Sequence, residues 1–433
     1  MNLKTRTNNI LSYLVCMYNM RPVQLSKVWR HVSAAKPDPI MGITELYNSS
    51  NNPNKINLSV GAYKDEYGNP YIFDSVKRAK DIIHKDKSNN HEYIGILGCN
   101  KLRNNSLKLA MGEMVDTELF ATTQTVSGTG SLRIAGEFLY NFYNHNKRPK
   151  IYVPNPTWSN HINIFNKSNM DVHTYSYINN DYDIDIYNMV SEMKEMPDKS
   201  IILMHTCCHN PSGIDLTTKE WKMILNVIKN KEHFILFDMA YQGFASGNIL
   251  LDARPMRFAY ILNIPFMLCQ SYSKNFGLYG ERVGCLSISA NNIREKNNIE
   301  SQLKQIIRPM YSNPPINGAK IVNTILDNND LYRLWIEDCY EISNRIKKVR
   351  MILKNKLDQE LPQHDWSHII KQNGMFSYTK INEDVIKTLI NDYDIYMTND
   401  GRISISSLNS NNVDYFVESI KNISNSMDGN IIR

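Results

Sequence analysis

The stretch Ser271-Tyr-Ser-Lys274-Asn-Phe-Gly277-Leu-Tyr-Gly280-Glu-Arg282-Val-Gly284 places a lysine between a serine and an arginine in a glycine-rich turn. A lysine amine forms a Schiff base with an aldehyde once its surroundings lower its pKa, and a neighbouring cation helps to lower it. Ser271 and Arg282 are suited to holding a phosphate, yet by itself the same string is equally an ordinary surface loop. A second string, Phe234-Ile-Leu-Phe-Asp238-Met-Ala-Tyr241-Gln-Gly243, sets an acid at the end of an apolar run. A buried carboxylate there needs a partner, either a structural one (a helix cap or a salt bridge) or the protonated nitrogen of a heteroaromatic ring. Tyr241 is placed to donate to a phenolic oxygen on such a ring. Asn210, in His209-Asn-Pro-Ser-Gly213, offers its amide to the same atom, although Asn-Pro and Ser-Gly are also plain turn signals.

Further signals are weaker one by one. Ser127-Gly128-Thr129-Gly130 precedes a helix-like stretch at 132–143, where free backbone N–H groups can face an anion, but such turns are common in α/β proteins. In Pro156-Thr-Trp158-Ser-Asn-His161, Trp158 can stack on a planar ring and His161 can support Asp238 from behind; core packing also accounts for both. His205, Cys207, Cys208 and His209 are metal-ligand types, but they stand too close together for the usual pairs separated by a loop, so no metal site is expected.

Most of these strings follow short apolar, β-leaning runs at 122–126, 151–153, 200–204, 234–237, 266–269 and 283–288, with helix-like stretches between them. That alternation predicts an α/β fold with ligands beyond the carboxyl ends of the strands. A long helical pattern after about residue 338, then strand-like pieces near Phe376 and Ile403, points to a second, smaller unit. The expected division is an extension and arm at 1–37, a large ligand-binding domain at 71–341, and a small α/β domain from 38–70 plus 342–433. Asn-rich stretches at 48–54 and 409–412 read as loops, and no internal repeat is present.

Taken together, from about Val28 to the carboxyl terminus, these strings resemble the aspartate aminotransferase family of fold-type I pyridoxal-phosphate enzymes. The most specific are 270–284, 237–247 and Ile307-Arg308-Pro-Met-Tyr-Ser-Asn-Pro-Pro315. Similar motifs recur at Val28-Trp29, Pro37-Asp38-Pro39, Val60-Gly61-Ala62-Tyr63 and Tyr396-Met-Thr-Asn-Asp-Gly-Arg402-Ile-Ser404. The resemblance implies a large, mainly parallel-sheet domain with a smaller α/β domain, pyridoxal 5'-phosphate as cofactor, and ping-pong transfer of the amino group of L-aspartate to 2-oxoglutarate. It implies that Lys274 bonds the cofactor, that Asp238 pairs with its ring nitrogen, and that Tyr241 and Asn210 hold its ring oxygen. Ser127, Gly128, Thr129, Ser271 and Arg282 resemble the phosphate cup, with Trp158 and His161 beside the ring. Arg402 matches the arginine for the substrate α-carboxylate, with Gly61, Trp158 and Asn210 nearby. In a homodimer with shared sites, Arg308 matches the arginine for the distal carboxylate and Tyr93 the tyrosine reaching the neighbouring subunit's phosphate. Departures from the family strings fall at Ser59, Lys64, Ser159, Ser212, Ser406 and Ser407; none removes a reacting group, and they bear on substrate preference. An aromatic amino-acid aminotransferase shares both arginines and is the nearest rival; a non-catalytic protein of the same fold would have been marked by loss of Lys274, Asp238 or Arg402.

The bulk composition is compatible with this. The chain has 433 residues and 42% hydrophobic content, enough for a sizeable core, and its net charge of +6 comes from interspersed charges rather than basic blocks, which gives no support to nucleic-acid binding. Seven cysteines, an odd number, fit a reducing compartment better than a disulfide framework. Residues 1–37 lack Asp and Glu and include Lys4, Arg6, Arg21, Lys27 and Arg30, in the manner of a mitochondrial transit peptide. The segment is also Asn-rich, with an apolar stretch at 10–15 too short for a signal peptide or membrane span, so an uncleaved cytoplasmic extension is the expectation and mitochondrial import the alternative.

Overall fold

The computed structural model describes residues 27–35, 41–113, 115–143, 148–427 and 431–432. Most of the amino-terminal extension and the Pro37-Asp38-Pro39 motif lie outside the described residues. In chain order the strands are β1 (Ile56–Asn57), β2 (Phe120–Val126), β3 (Lys150–Asn155), β4 (Asp171–Ser176), β5 (Ile201–His205), β6 (Phe234–Met239), β7 (Phe266–Ser271), β8 (Val283–Ser289), β9 (Phe376–Tyr378), β10 (Ile395–Tyr396) and β11 (Arg402–Ser404).

Strands β2 to β8 form one seven-stranded sheet in the order β2-β8-β7-β6-β5-β3-β4. All pairings among β3 to β7 are parallel, whereas β8 runs antiparallel to both β7 and β2. Every residue of β5, β6 and β7 is buried, as expected of central strands covered by helices on both faces. That double burial explains why they read as continuous apolar runs. Strand β4 carries no such run: its sequence Asp-Val-His-Thr-Tyr-Ser buries only Tyr175, because it is the sheet edge and needs little apolar surface. The helix Ser127–Phe142 begins at Ser127 itself, so the glycine-bearing string expected to be a turn before the helix is its first turn.

The helix Asn329–Glu360 is started by Asn328, whose side chain accepts from the Asp330 and Leu331 amides. Its buried apolar residues Leu331, Trp335, Cys339, Ile342, Ile346, Val349, Leu353 and Leu357 recur every three to four positions, the spacing of one helical face. It runs unbroken across residues 341 and 342, where the sequence suggested a domain boundary. Beyond it, β9 pairs antiparallel with β11, and β1 pairs parallel with β10. No helix among the described residues is long and apolar enough to cross a membrane.

Candidate active site

Five strands deliver residues at or after their ends to one edge of the sheet: β2 leads to Ser127, β3 to Trp158, β5 to Asn210, β6 carries Asp238 and leads to Tyr241, and β7 ends in Ser271 and leads to Lys274. The reversed β8 begins at that edge, with Arg282 immediately before it. The opposite wall comes from Val60, Gly61, Ala62, Phe376 and Arg402. Between them lies a cavity of about 300 Å³, lined by Gly61, Ser127, Gly128, Thr129, Trp158, Asn210, Asp238, Tyr241, Ser271, Lys274, Arg282 and Arg402. Those expected site residues are thus brought together.

One end of the cavity is a hydroxyl cradle. Ser127 Oγ lies 3.0 Å from Ser271 Oγ and 2.8 Å from Ser273 Oγ, and Arg282 Nη1 donates to Ser273 Oγ at 3.3 Å. Close approach here depends on glycines: a Cβ on Gly128 would meet Ser271 Cβ at 3.0 Å, and one on Gly284 would sit 2.4 Å from the Gln270 carbonyl oxygen. Hydroxyls, a guanidinium and the unpaired N–H groups of a helix's first turn together suit a dianion such as a phosphate ester.

Asp238 lies deeper and is only 8% exposed. Its Oδ2 is 3.1 Å from His161 Nε2, and His161 Nδ1 is in turn 2.7 Å from Thr157 Oγ1. Burial pushes the Asp238 carboxyl up, but the His161 hydrogen bond and charge, with His205 and Lys274 adding to them, more than offset this, so the net displacement is downward and the group is a carboxylate. His205 Nε2 is 3.8 Å from the same oxygen. Burial first, and the charge of His161 second, hold the His205 pKa down to about 3, so this contact is not an ion pair at neutral pH. His161, His205 and Asp238 are the group of metal-ligand type among the described residues, rather than the Cys207–Cys208 neighbourhood the sequence drew attention to.

Lys274 is half-buried, with Nζ 5.7 Å from the centre of the Tyr241 ring. Burial lowers its pKa to about 8; Arg282 and Arg402 push the same way and Asp238 opposes them. About a tenth of the amine is therefore neutral and nucleophilic at pH 7, far more than for an ordinary lysine. Burial raises the Tyr241 phenol well above its ordinary value, keeping it a hydrogen-bond donor. At the far end, Arg402 donates to the Ser59 carbonyl at 2.6 Å and to Asn210 Oδ1 at 3.3 Å, while its Nε is buried without a partner. A cation of this kind still has capacity for a carboxylate.

The residues present fit pyridoxal phosphate: a dianion cradle, a buried carboxylate for a ring nitrogen, a phenol and an amide for a ring oxygen, and a lowered-pKa lysine for an aldehyde. Tyr93 and Arg308 are not brought to the cavity of their own chain. Tyr93 is 86% exposed, and Arg308 is exposed at the end of the helix Ile293–Tyr311, where it donates to Ser312 Oγ. Ser273, His205 and Phe376 were not among the expected site residues, although His205 was weighed as a metal-ligand type and Phe376 as part of a strand. Ser273 had a signal, since it shares the glycine-rich turn with Ser271, whereas nothing near Phe376 in sequence announces a cavity.

Residues 53–420 match the family described as aminotransferase class I and II. The chain is 45% identical over 402 residues to a protein of Schizosaccharomyces pombe named as mitochondrial aspartate aminotransferase, covering 91% of this chain and 90% of that one. Among solved structures, the cytoplasmic aspartate aminotransferase of Saccharomyces cerevisiae superposes with a TM-score of 0.89 at 36% identity, covering 92% of this chain and 99% of that one. An aromatic-amino-acid aminotransferase from Burkholderia pseudomallei, described as covalently bound to pyridoxal phosphate, gives 0.87 at 32% identity, covering 92% of this chain and all (100%) of that one. A cavity built for an aldehyde, a dianion and a carboxylate thus sits in a chain whose sequence matches over most of its length, and the protein belongs to the class I and II aminotransferase family.

Proposed function

We propose that this enzyme is a pyridoxal-phosphate-dependent aspartate aminotransferase, moving the amino group of L-aspartate to 2-oxoglutarate in a ping-pong cycle. The observation that carries the reading is the presence of Lys274, Asp238 and Arg402 around one cavity, in a chain 45% identical to a relative of that name. Arg402 binds the substrate α-carboxylate and orients Cα toward Lys274. The Lys274 amine would serve there as the general base for the Cα proton and as the general acid that gives it back. Asp238, its negative charge kept by the His161 contact, would hold the proton on the ring nitrogen. The cofactor, when bound, supplies the electron sink that makes Cα acidic. Turnover with aspartate and 2-oxoglutarate, compared with phenylalanine as donor, tests the assignment; a clear preference for phenylalanine would give the enzyme to the aromatic class, that of the Burkholderia pseudomallei protein to which this chain is also similar.

The site is completed across a homodimer, with Arg308 of one chain binding the distal carboxylate in the other's cavity and Tyr93 reaching the other's phosphate. Supporting this are the exposure of both residues and of the apolar arm side chains Val28, Trp29 and Val32, which need a covering surface. Mixing inactive Lys274→Ala with inactive Arg308→Asp is the test. If subunits redistribute at random, half the dimers are hybrids with one good site in two, so about a quarter of wild-type activity returns. No recovery after verified subunit exchange would overturn the sharing.

For location, the cytoplasmic expectation is not supported: the S. pombe relative, and one from Dictyostelium discoideum, are named as mitochondrial. Together with the acid-free, basic composition of residues 1–37, this favours mitochondrial import. A reporter carrying residues 1–37 should enter mitochondria; its retention in the cytosol would restore the first expectation.

A further inference from the structure

Arg402 is held lightly for a buried cation. Among the described residues it has one carbonyl, one amide oxygen and the face of Phe376, whose ring centre is 4.3 Å from Cζ. Phe376 touches other parts of the cavity too: its ring meets Tyr241 edge-on at 6.2 Å, and a Cβ on Gly61 would stand 2.7 Å from its Cζ. A shift of this ring therefore moves the carboxylate cation, a ring-oxygen donor and the cavity roof together.

The backbone of Phe376 is fixed on one side by the three-residue strand β9 and its pairing with Ser404. The other fixing group is Arg350, which comes from the long helix Asn329–Glu360 and is 2% exposed. Its guanidinium donates to the carbonyls of Ile369 at 2.9 Å, Gly374 at 2.9 Å and Asn373 at 3.4 Å, to Gln372 Oε1 at 3.5 Å, and to the carbonyl of Phe376 itself. Among the described residues none of these partners is a carboxylate; burial pushes the Arg350 pKa down to about 9, which leaves it charged at neutral pH. Burying a cation with only neutral acceptors is costly, so the turn at 369–376 has to be arranged around it closely.

The same turn is pressed from the opposite side by the segment that carries Asn210. The Asn373 amide donates to the Gly213 carbonyl at 2.5 Å, and its side chain donates to Asp215 Oδ2 at 3.3 Å. A Cβ on Gly374 would lie 2.6 Å from Cys208 Sγ, and one on Gly213 would lie 2.9 Å from the Phe376 carbonyl oxygen. Two of the groups that hold Arg402, Phe376 and Asn210, thus sit on segments clamped to one another, with Arg350 at the back of the clamp.

We propose that Arg350 is a positioning residue for substrate carboxylate recognition, acting through Phe376 on Arg402; this rests on the reading of Arg402 given above. It touches neither substrate nor cofactor. It determines where the ring under the Arg402 guanidinium lies, and hence the affinity for the α-carboxylate rather than the proton transfer at Cα.

The test is a double-mutant cycle in the holoenzyme, with KM and kcat for aspartate measured in Arg350→Lys, Phe376→Leu and the double variant. Lysine keeps the charge but loses the planar fork that reaches several carbonyls at once. Arg350→Lys should raise KM about tenfold with kcat changed less than about threefold, and the double variant should be no worse than Phe376→Leu alone, because the two act in series. Additive effects, or a fall in kcat and thermal stability at unchanged KM, would make Arg350 a general structural residue and overturn the proposal. Should Arg350→Lys fail to fold, Arg350→Gln, which retains N–H donors, carries the same cycle; failure of both to fold with cofactor bound would likewise overturn it. Arg402→Lys separates the premise from the inference. No rise in KM there removes the reading of Arg402, whereas a rise there with none in Arg350→Lys removes only the role of Arg350.

Discussion

Lys274→Ala is expected to fold, to bind pyridoxal phosphate without a covalent bond, and to lose turnover by on the order of 10⁴-fold or more, since both cofactor attachment and Cα proton transfer use the one amine. Borohydride should no longer fix cofactor to protein; fixation to another lysine in the variant would show that Lys274 is the wrong residue. The wild-type protein offers a second measurement. Because burial lowers the Lys274 pKa from 10.5 to about 8, an amine-reactive reagent should modify it in cofactor-free protein with a midpoint near pH 8. The sign for stability follows from the same displacement. Between pH 8 and 10.5 the unfolded chain still carries the proton that the folded chain has lost, so cofactor-free protein gains stability as pH rises through that window. Below it, the folded state bears the cost of a buried ammonium. The alanine variant should lose this rise, and a rise that persists unchanged would assign it to another group.

Asp238→Ala should cost about 4 kcal/mol or more in the barrier, roughly a thousandfold in rate. Among the described residues the carboxylate is the anion in contact with His161, and its removal leaves the floor of the cavity with two imidazoles and no counter-charge for a ring nitrogen. Cofactor affinity should fall as well. His161 and His205 are buried and remain in place, so the loss is expected to be chemical rather than a collapse of the site. Near-normal turnover would reduce Asp238 to a structural acid tying His161 to β6.

The central strands were legible because burial on both faces makes β5, β6 and β7 uniformly apolar, and because each ends in a polar cluster that has to face the same edge of a parallel sheet. The edge strand β4 was not legible, since half its surface needs no apolar residue. Single strings such as Ser127-Gly128-Thr129-Gly130 carried little weight alone, and it was their position after successive strands that gave them meaning. Arg350 escaped notice, and Phe376 and Ser59 were read only as a strand piece and a departure from the family strings, because they act through contacts between segments far apart in the chain. Arg402 donates to a carbonyl 343 residues away, and no local pattern encodes that. The serine departures have visible places. The Ser59 backbone holds Arg402, and Ser212 Oγ is 2.8 Å from His209 Nδ1. Ser407 donates to Ser404 at 3.2 Å, behind the arginine strand.

The long helix Asn329–Glu360 grips the site twice. At Trp335 its indole donates to the Asn275 carbonyl at 2.7 Å and stacks on Phe276, the residues directly after Lys274. At Arg350 it holds the turn under Arg402. Fifteen residues separate the two grips, and at 1.5 Å per residue they stand about 22 Å apart along a continuous rod. The helix is therefore a ruler, and the relative placement of the cofactor's lysine and the substrate's arginine depends on helical pitch as well as on loop shape. One residue inserted between the grips would turn one against the other by about 100° and lengthen the interval by about 1.5 Å. A change in the length of this helix would therefore be transmitted whole from one grip to the other.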